Sequence, residues 1–214
     1  MSTPPARRFA DALAKAREDW AAADAAACAA RAGCACGPAG VVVPLFGRPH
    51  FVAHPDAAVT AGAEPGSEPV HVAVAILLLH YLLHADGAPS AGTWLAYREL
   101  PDGLFYAASF AGRAEAPLAR AFAGTAGEGS PGLEAFDRAA RSLGGQELTF
   151  ADAAYRFDAL PRVAVAALVW AGDDEEPGQA GVLFDAAAGH YLPAEDLAGL
   201  GGTLAQRLTA AASR

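Results

Sequence analysis

Positive charge is scarce in this sequence of 214 residues. Lysine and arginine together number 15 against 24 aspartates and glutamates, which gives a formal net charge of −9, and Lys15 is the only lysine. Binding to nucleic acids and to anionic membranes depends on clustered basic side chains. Because the sequence contains no basic stripe, we expect neither a nucleic acid nor a membrane surface as its partner.

The sequence also lacks the apolar segments that direct a chain into or across a membrane. Its first residues lead into an amphipathic pattern and have no signal-peptide core. The longest apolar run, residues 70–83, is interrupted by histidines and falls short of the roughly 20 residues that a spanning helix needs. We therefore expect a soluble protein located in the cytoplasm.

Cysteine is rare and is poorly spaced for cross-linking or for metal binding. The three cysteines are Cys28, Cys34 and Cys36, an odd number that cannot pair fully within one chain. Their spacing lacks the Cys-x2-Cys pairs of zinc and iron–sulfur sites, so we predict free thiols in a reducing compartment. Dinucleotide fingerprints, phosphate-binding loops and Gly-x-Ser-x-Gly elbows are missing, so nucleotide binding and serine hydrolysis have no support.

Apolar residues are abundant, at 53% of the chain, and their spacing predicts helices mixed with strands. Asp24 and Gly33 are typical caps for a short helix between them. Residues 69–84 are apolar on almost every face, which predicts a central buried helix. The other predicted helices are 5–22, 118–122, 133–143 and one opened by Pro193. The predicted strands are 41–46, 50–53, 94–99, 104–110, 155–157, 163–170 and 182–184.

This order of elements predicts the fold class. Helices and strands do not alternate strictly, and the connection between strands 163–170 and 182–184 is too short for a helical crossover, so those strands form an antiparallel hairpin. We predict an α+β fold with an antiparallel or mixed sheet, a central buried helix and flanking helices. Residues 1–214 are assigned to a single domain, with an N-terminal helical segment at 1–38 and an α+β core at 39–214.

Two histidines on the central helix are the candidate metal ligands. His80 and His84 are four residues apart, so they lie on one helix face, where two imidazoles can share a metal ion. His71 lies on roughly the opposite face and does not complete the site. The competing interpretation is structural: His84 interacts with the helix dipole, and His80 is a hydrogen-bonded core residue.

The other candidate residues are aromatic side chains beside turns and an acidic loop. Tyr81, Trp94, Tyr106 and Trp170 are amphipathic residues of the type that lines ligand pockets. Asp173 begins the acidic run 173–176 directly after the strand that ends at Trp170. These carboxylates could bind a divalent cation or transfer protons, and a solvated hairpin tip is the alternative. The hairpin register puts Asp185 at the opposite end, away from this run.

The sequence resembles a known family over nearly its whole length. The matching strings are residues 79–87, Trp94 with 98–101, 143–145, 170–173, 183–185 and 191–197. Together they are similar to the bacterial and archaeal family called domain of unknown function 3786. The acidic loop departs from the family pattern, which tends to read Gly-Asp-Glu-Glu-Phe-Pro, because residues 172–177 read Gly-Asp-Asp-Glu-Glu-Pro.

The resemblance implies no reaction and no catalytic residues. Relatives occur largely in anaerobes, some alongside iron–sulfur or corrinoid proteins of one-carbon metabolism, which implies an accessory role. A metal ion, a corrinoid or another tetrapyrrole are the candidate cofactors on that basis. Three functions therefore stay open: an accessory protein that binds a small molecule or cofactor, a metal-dependent enzyme that combines the histidines with the acidic loop, and a noncatalytic interaction subunit or homo-oligomer.

Overall fold

The computed structural model describes residues 5–124, 131–173 and 175–213, which form two compact units. The described residues of the first unit lie within Met1–Ser90, Ala159–Val163 and His190–Leu192. Those of the second unit lie within Ala91–Asp158, Ala164–Gly189 and Pro193–Arg214. Helices combined with antiparallel sheets confirm the α+β class. The assignment of 1–214 to one domain, divided at 38, stays a prediction.

The described residues of the first unit form three α-helices and a four-stranded antiparallel sheet. Strands that follow one another in the chain pair with one another, in the order β1-β2-β3-β4. Its elements are α1 (Pro5–Ala22), α2 (Ala25–Ala32), β1 (Ala35–Gly37), β2 (Gly40–Leu45), β3 (Arg48–Ala53), β4 (Val59–Ala61) and α3 (Val72–His84).

Helix α2 begins and ends at the residues that the sequence predicts. The Asp24 side chain accepts a hydrogen bond from the Ala27 N–H at 3.0 Å, which satisfies one of the unpaired donors of the first turn. Gly33 ends the helix with a φ of 69°, in the left-handed region that favours glycine. Both predicted caps are confirmed.

Helix α3 is packed on several sides, as its apolar sequence predicts. Residues 75–79, Tyr81 and Leu82 are buried, and both α1 and α2 contact this helix. The first turn is capped by His71, whose ring Nδ1 accepts a hydrogen bond from the Ala73 N–H at 3.3 Å. The prediction of a central buried helix is thus confirmed, and none of the described helices is both long and apolar enough to cross a membrane.

The described residues of the second unit form four α-helices and a five-stranded antiparallel sheet in the order β5-β9-β8-β7-β6. Its helices are α4 (Gly103–Phe110), α5 (Ala116–Phe122), α6 (Pro131–Ser142) and α7 (Ala194–Ala212). Its strands are β5 (Trp94–Ala96), β6 (Gln146–Leu148), β7 (Ala153–Leu160), β8 (Val163–Trp170) and β9 (Gln179–Asp185), except that the end of β7 and the start of β8 within Ala159–Val163 belong to the first unit.

The hairpin of β8 and β9 fixes which residues lie at its two ends. Trp170 is paired with Gln179 beside the connecting loop, and Val165 is paired with Phe184 near the other end. This register confirms the predicted antiparallel hairpin, and it also confirms that Asp185 lies away from the acidic loop.

The predicted strand at 104–110 is wrong, because these residues form helix α4. Asp102 precedes the helix with a φ of 59°, and Gly103 packs so closely on the Tyr97 carbonyl that a Cβ would lie 1.9 Å from its oxygen. The helical path continues through a π-helical segment, Ala111–Glu115, into α5. Aromatic residues favour strands in general, and here the tertiary contacts override that preference.

Candidate functional site

The predicted site residues fall into two groups, one in each unit. The first group is His80, Tyr81 and His84 on α3, and the second group is Trp94, Tyr106, Trp170 and Asp173.

Tyr81 is a core residue with an engaged hydroxyl group. Its side chain is fully buried, and the hydroxyl donates to the Ala32 carbonyl at 2.6 Å and accepts from the Arg162 N–H at 3.1 Å. Burial raises the pKa of Tyr81 well above its ordinary value, so the hydroxyl stays protonated. Its ring also packs on Tyr191, with centroids 5.8 Å apart. These contacts give Tyr81 a role in joining backbone segments of the first unit.

His80 and His84 lie side by side on α3, as their spacing predicts. Their rings are nearly parallel, with an interplanar angle of 10° and centroids 5.3 Å apart. His80 is half-buried, whereas His84, at the end of the helix, is exposed. The two imidazoles therefore form one compact pair that is accessible from solvent.

The cysteines of the first unit are free thiols in different environments. Cys28 is buried, Cys34 is half-buried and Cys36 is exposed. Burial raises the pKa of Cys34 to about 12, so this thiol is protonated at neutral pH. A protonated thiol is a poorer nucleophile and a poorer metal ligand than a thiolate.

Trp94 and Tyr106 occupy different settings in the second unit. Trp94, on β5, packs against the buried residues Ala154, Ala166 and Leu168. Tyr106 is 48% exposed on α4. The structure therefore gives Trp94 a packing role and leaves Tyr106 at the surface.

Trp170 and Asp173, which the sequence singles out separately, line one cavity. Its volume is about 320 Å³, at the lower end of the range for small-molecule sites. The Trp170 side chain is 39% exposed, at the end of β8. The lining residues are Trp170, Ala171, Asp173, Glu176, Pro177 and Gln179. We call this hollow the Trp170 cavity.

Backbone donors hold the Asp173 carboxylate in place. Its Oδ1 accepts the N–H of Glu175 at 2.9 Å and the N–H of Glu176 at 2.8 Å. The Asp173 N–H in turn donates to the Glu176 carbonyl at 2.9 Å. The N–H donors of Glu176 and Glu175 lower the pKa of Asp173, so the group is ionised at neutral pH.

The two ends of this loop come close together at Gly172 and Gly178, and we call this point the loop neck. A Cβ on Gly172 would lie 2.4 Å from the Gly178 nitrogen, and a Cβ on Gly178 would lie 2.4 Å from the Ala123 carbonyl oxygen. The Gly172 N–H also donates to the Gly124 carbonyl at 2.9 Å. Close backbone contact at the loop neck therefore positions the carboxylates beside Trp170.

A third carboxylate accepts a hydrogen bond from a residue that lines the cavity. Asp152 Oδ2 accepts a hydrogen bond from the Ala171 N–H at 2.9 Å, and Ala171 lines the hollow. Asp152, Asp173, Glu175 and Glu176 all contribute negative charge to this part of the second unit. An exposed indole beside several carboxylates attracts positively charged groups.

The sequence did not reveal the structural roles of two acidic residues in the second unit, Asp185 and Glu115. Asp185 is buried, and its carboxylate accepts the N–H groups of Ala91, Gly92 and Ala187 at 2.8 to 2.9 Å. Glu115, in the π-helical segment, accepts the Val182 N–H at 3.4 Å, and burial raises its pKa. The only available signal was the position of Asp185 at the end of a continuous apolar run.

The metal-enzyme alternative needs the histidines and the acidic loop to meet. Within residues 5–124, 131–173 and 175–213, no three His, Cys, Asp or Glu side chains are grouped so that they could hold a metal ion. Asp174, one of the four acidic residues of the loop, lies outside the described residues. The described geometry therefore gives this alternative no support.

Comparison with known proteins gives one match. No curated protein and no solved structure matches the sequence. A family model described as "Domain of unknown function (DUF3786)" matches residues 24–207. The matched range covers most of the chain and includes the histidine pair as well as the Trp170 cavity.

Proposed function

The chain belongs to the DUF3786 family, and from the geometry of the Trp170 cavity we propose that it is an accessory protein that binds a small organic cation. Family membership supplies no activity, so the proposal depends on this chain's own residues. The observation that carries it is the exposed Trp170 indole in a hollow that Asp173 and Glu176 also line.

The chemistry of the lining favours a cation. An indole face attracts a cation through its quadrupole, and carboxylates contribute direct Coulomb attraction. Because the two loop N–H groups bond to Oδ1 of Asp173, those bonds leave Oδ2 uninvolved. The net charge of −9 also favours the approach of a cation over that of an anion.

The same features favour binding over catalysis. General acid–base catalysis works best with a pKa near the working pH, whereas the backbone donors lower the pKa of Asp173. A volume of about 320 Å³ is also too small to enclose a corrinoid or another tetrapyrrole. The cavity therefore suits a compact amine or quaternary ammonium group.

The test is a titration with tetramethylammonium chloride, followed by the ¹H–¹⁵N signals of the three tryptophan side chains. We expect a saturable shift of the Trp170 signal, identified with Trp170→Phe. The neutral isostere tert-butanol should give no saturable shift. In Trp170→Ala and Trp170→Phe, which lack this indole, binding is followed by the backbone amide signals of Ala171 and Gln179, which also line the cavity. Trp170→Ala should abolish saturation of these signals, and Trp170→Phe should weaken affinity about two- to fivefold, as expected for an exposed cation–π contact.

Matched variants show whether binding occurs in the Trp170 cavity or reflects a general effect of the substitution. Trp94→Phe changes a tryptophan that packs elsewhere in the second unit and should leave the affinity unchanged. Glu176→Gln removes one carboxylate and should weaken binding of the cation. Equal responses to tetramethylammonium and tert-butanol, or saturation that survives in Trp170→Ala, would refute the proposal.

A second proposal, self-association, is supported by the start of helix α4. Leu104, Phe105 and Tyr106 are 72%, 84% and 48% exposed. Exposed apolar clusters of this kind are typical of interaction surfaces. This observation favours the interaction-subunit alternative in the form of a homo-oligomer.

A further inference from the structure

On the basis of the proposed function, the walls of the Trp170 cavity favour one class of cation. Sites for quaternary ammonium groups are typically aromatic cages. Among the described residues that line this cavity, Trp170 alone is aromatic. Its indole packs along β9, where a Cβ on Gly181 would lie 3.4 Å from Cζ3 of the ring, so the strand helps to set its position. A bound cation therefore meets one aromatic wall, and polar groups supply the remaining recognition.

The polar part of the lining is rich in hydrogen-bond acceptors. Among the described lining residues, the carboxylates of Asp173 and Glu176 and the amide oxygen of Gln179 are side-chain acceptors. Glu176 bonds to Asp173 through its backbone N–H and carbonyl, and those bonds leave its carboxylate uninvolved. A primary ammonium group has three N–H donors, which matches the number of these acceptors. A quaternary ammonium group has no N–H donor, so it would take the acceptors from water without replacing their hydrogen bonds.

The hydrogen bonds of Asp173 favour an ammonium over a guanidinium. Its Oδ1 already accepts the N–H groups of Glu175 at 2.9 Å and of Glu176 at 2.8 Å, which use both lone pairs of that oxygen. A guanidinium pairs most strongly with both oxygens of a carboxylate at once, whereas an ammonium acts as a point charge. Because these backbone bonds leave only Oδ2 of Asp173 uninvolved, the carboxylate suits the ammonium.

We infer that the Trp170 cavity selects a small primary amine in its protonated form. The ammonium group donates to Asp173 Oδ2, to the Glu176 carboxylate and to the Gln179 amide oxygen, and the carbon next to the nitrogen contacts the Trp170 indole. An ammonium is strongly hydrated, so these bonds replace the bonds to water that it loses on binding. Each N-methyl group removes one donor, so affinity falls as methyl groups are added.

Selectivity can be tested with the chlorides of methylammonium, tetramethylammonium and methylguanidinium, titrated separately into the full chain at pH 7 and constant ionic strength. The indole signal of Trp170 and the backbone amide signals of Ala171 and Gln179 report binding. We expect methylammonium to bind about tenfold more tightly than tetramethylammonium and about threefold more tightly than methylguanidinium, because hydrogen bonds to charged groups are the strong ones.

Two variants test the acceptors, and a third serves as the control. In Asp173→Asn the amide oxygen can still accept the two loop N–H groups, whereas the amide NH₂ replaces Oδ2 and cannot accept from an ammonium. The preference for methylammonium over tetramethylammonium should fall to within about twofold. Gln179→Ala should reduce this preference about threefold, since one acceptor is lost. Gln206→Ala changes an exposed glutamine on α7 and should leave the preference unchanged.

The outcomes distinguish this inference from the proposed function. Saturable binding of tetramethylammonium with equal or weaker binding of methylammonium would overturn the inference and leave the cation site in place. Saturation by neither cation would overturn both. Tighter binding of methylguanidinium than of methylammonium, or a full preference for methylammonium in Asp173→Asn, would overturn the inference alone.

Discussion

At the scale of single residues, two buried polar side chains are held by hydrogen bonds to the backbone. Tyr81 bonds to Ala32 and Arg162 in the first unit, and Asp185 bonds to three N–H groups in the second. Burial of a polar group is costly unless it is hydrogen-bonded, and the main chain supplies the partners here. Such residues hold loops to regular elements, where backbone groups lack partners of their own.

Tyr81→Phe should destabilise the protein measurably. The change keeps the ring but leaves the Ala32 carbonyl and the Arg162 N–H without their partner, at a cost of about 1–3 kcal/mol in the free energy of unfolding. Urea denaturation followed by circular dichroism measures this. Tyr106→Phe removes the same hydroxyl from an exposed side chain and should change stability by less than about 0.5 kcal/mol. Equal effects of the two variants would contradict the assignment.

At the scale of elements, local signals predicted some boundaries well and others poorly. The caps of α2 were predictable because Asp24 and Gly33 act on the backbone of adjacent residues. The whole of β8 was predictable because it is one continuous apolar run. Strands β1, β4 and β6 have three residues each, too few for a periodic pattern to show. Helix α4 was misassigned because its start depends on the contact between Gly103 and Tyr97, which the local sequence does not reveal.

The candidate sites likewise contain some features that the local sequence predicts and others that it does not. Trp170 and Asp173 lie close together because a strand end and the loop after it are neighbours in sequence. The stacking of His80 on His84 follows equally from helical periodicity. The buried environment of Tyr81 could not be predicted. Its side chain points about 100° around the helix from that of its neighbour His80. Which of these helix faces is buried depends on distant segments such as residues 159–163.

The loop that carries Asp173 depends on close backbone contact, so Gly178→Ala should disrupt it. The added Cβ would lie 2.4 Å from the Ala123 carbonyl oxygen and 2.7 Å from the Gly172 nitrogen. We expect a loss of about 1–3 kcal/mol in the free energy of unfolding, together with a changed indole signal of Trp170.

The matched control is Gly199→Ala, on the exposed face of α7. A Cβ there meets nothing within 4 Å, and alanine is the better helix former by about 0.5–1 kcal/mol. This variant should therefore be more stable than the unaltered chain in the same urea titration. If Gly178→Ala were as stable as Gly199→Ala, that result would contradict the close backbone contact at the loop neck.

At the scale of the whole molecule, the most exposed large apolar side chains among the described residues lie together at the start of α4. Consecutive helix residues point about 100° apart, so exposure of Leu104, Phe105 and Tyr106 leaves the first turn of α4 uncovered over more than half of its circumference. Packing against a second copy would remove this apolar area from water, at about 25 cal/mol for each Å² buried.

We therefore expect concentration-dependent self-association that involves α4. Light scattering coupled to size-exclusion chromatography should show an average mass that rises above that of the monomer as protein concentration increases. Phe105→Ser replaces the most exposed of the three side chains and should shift the mass towards the monomer, because it removes apolar area from the contact. Phe150→Ser changes a 44% exposed phenylalanine elsewhere in the second unit and should leave the association intact. A mass that stays at the monomer value at every concentration, or that falls equally in both variants, would rule out α4 as the contact.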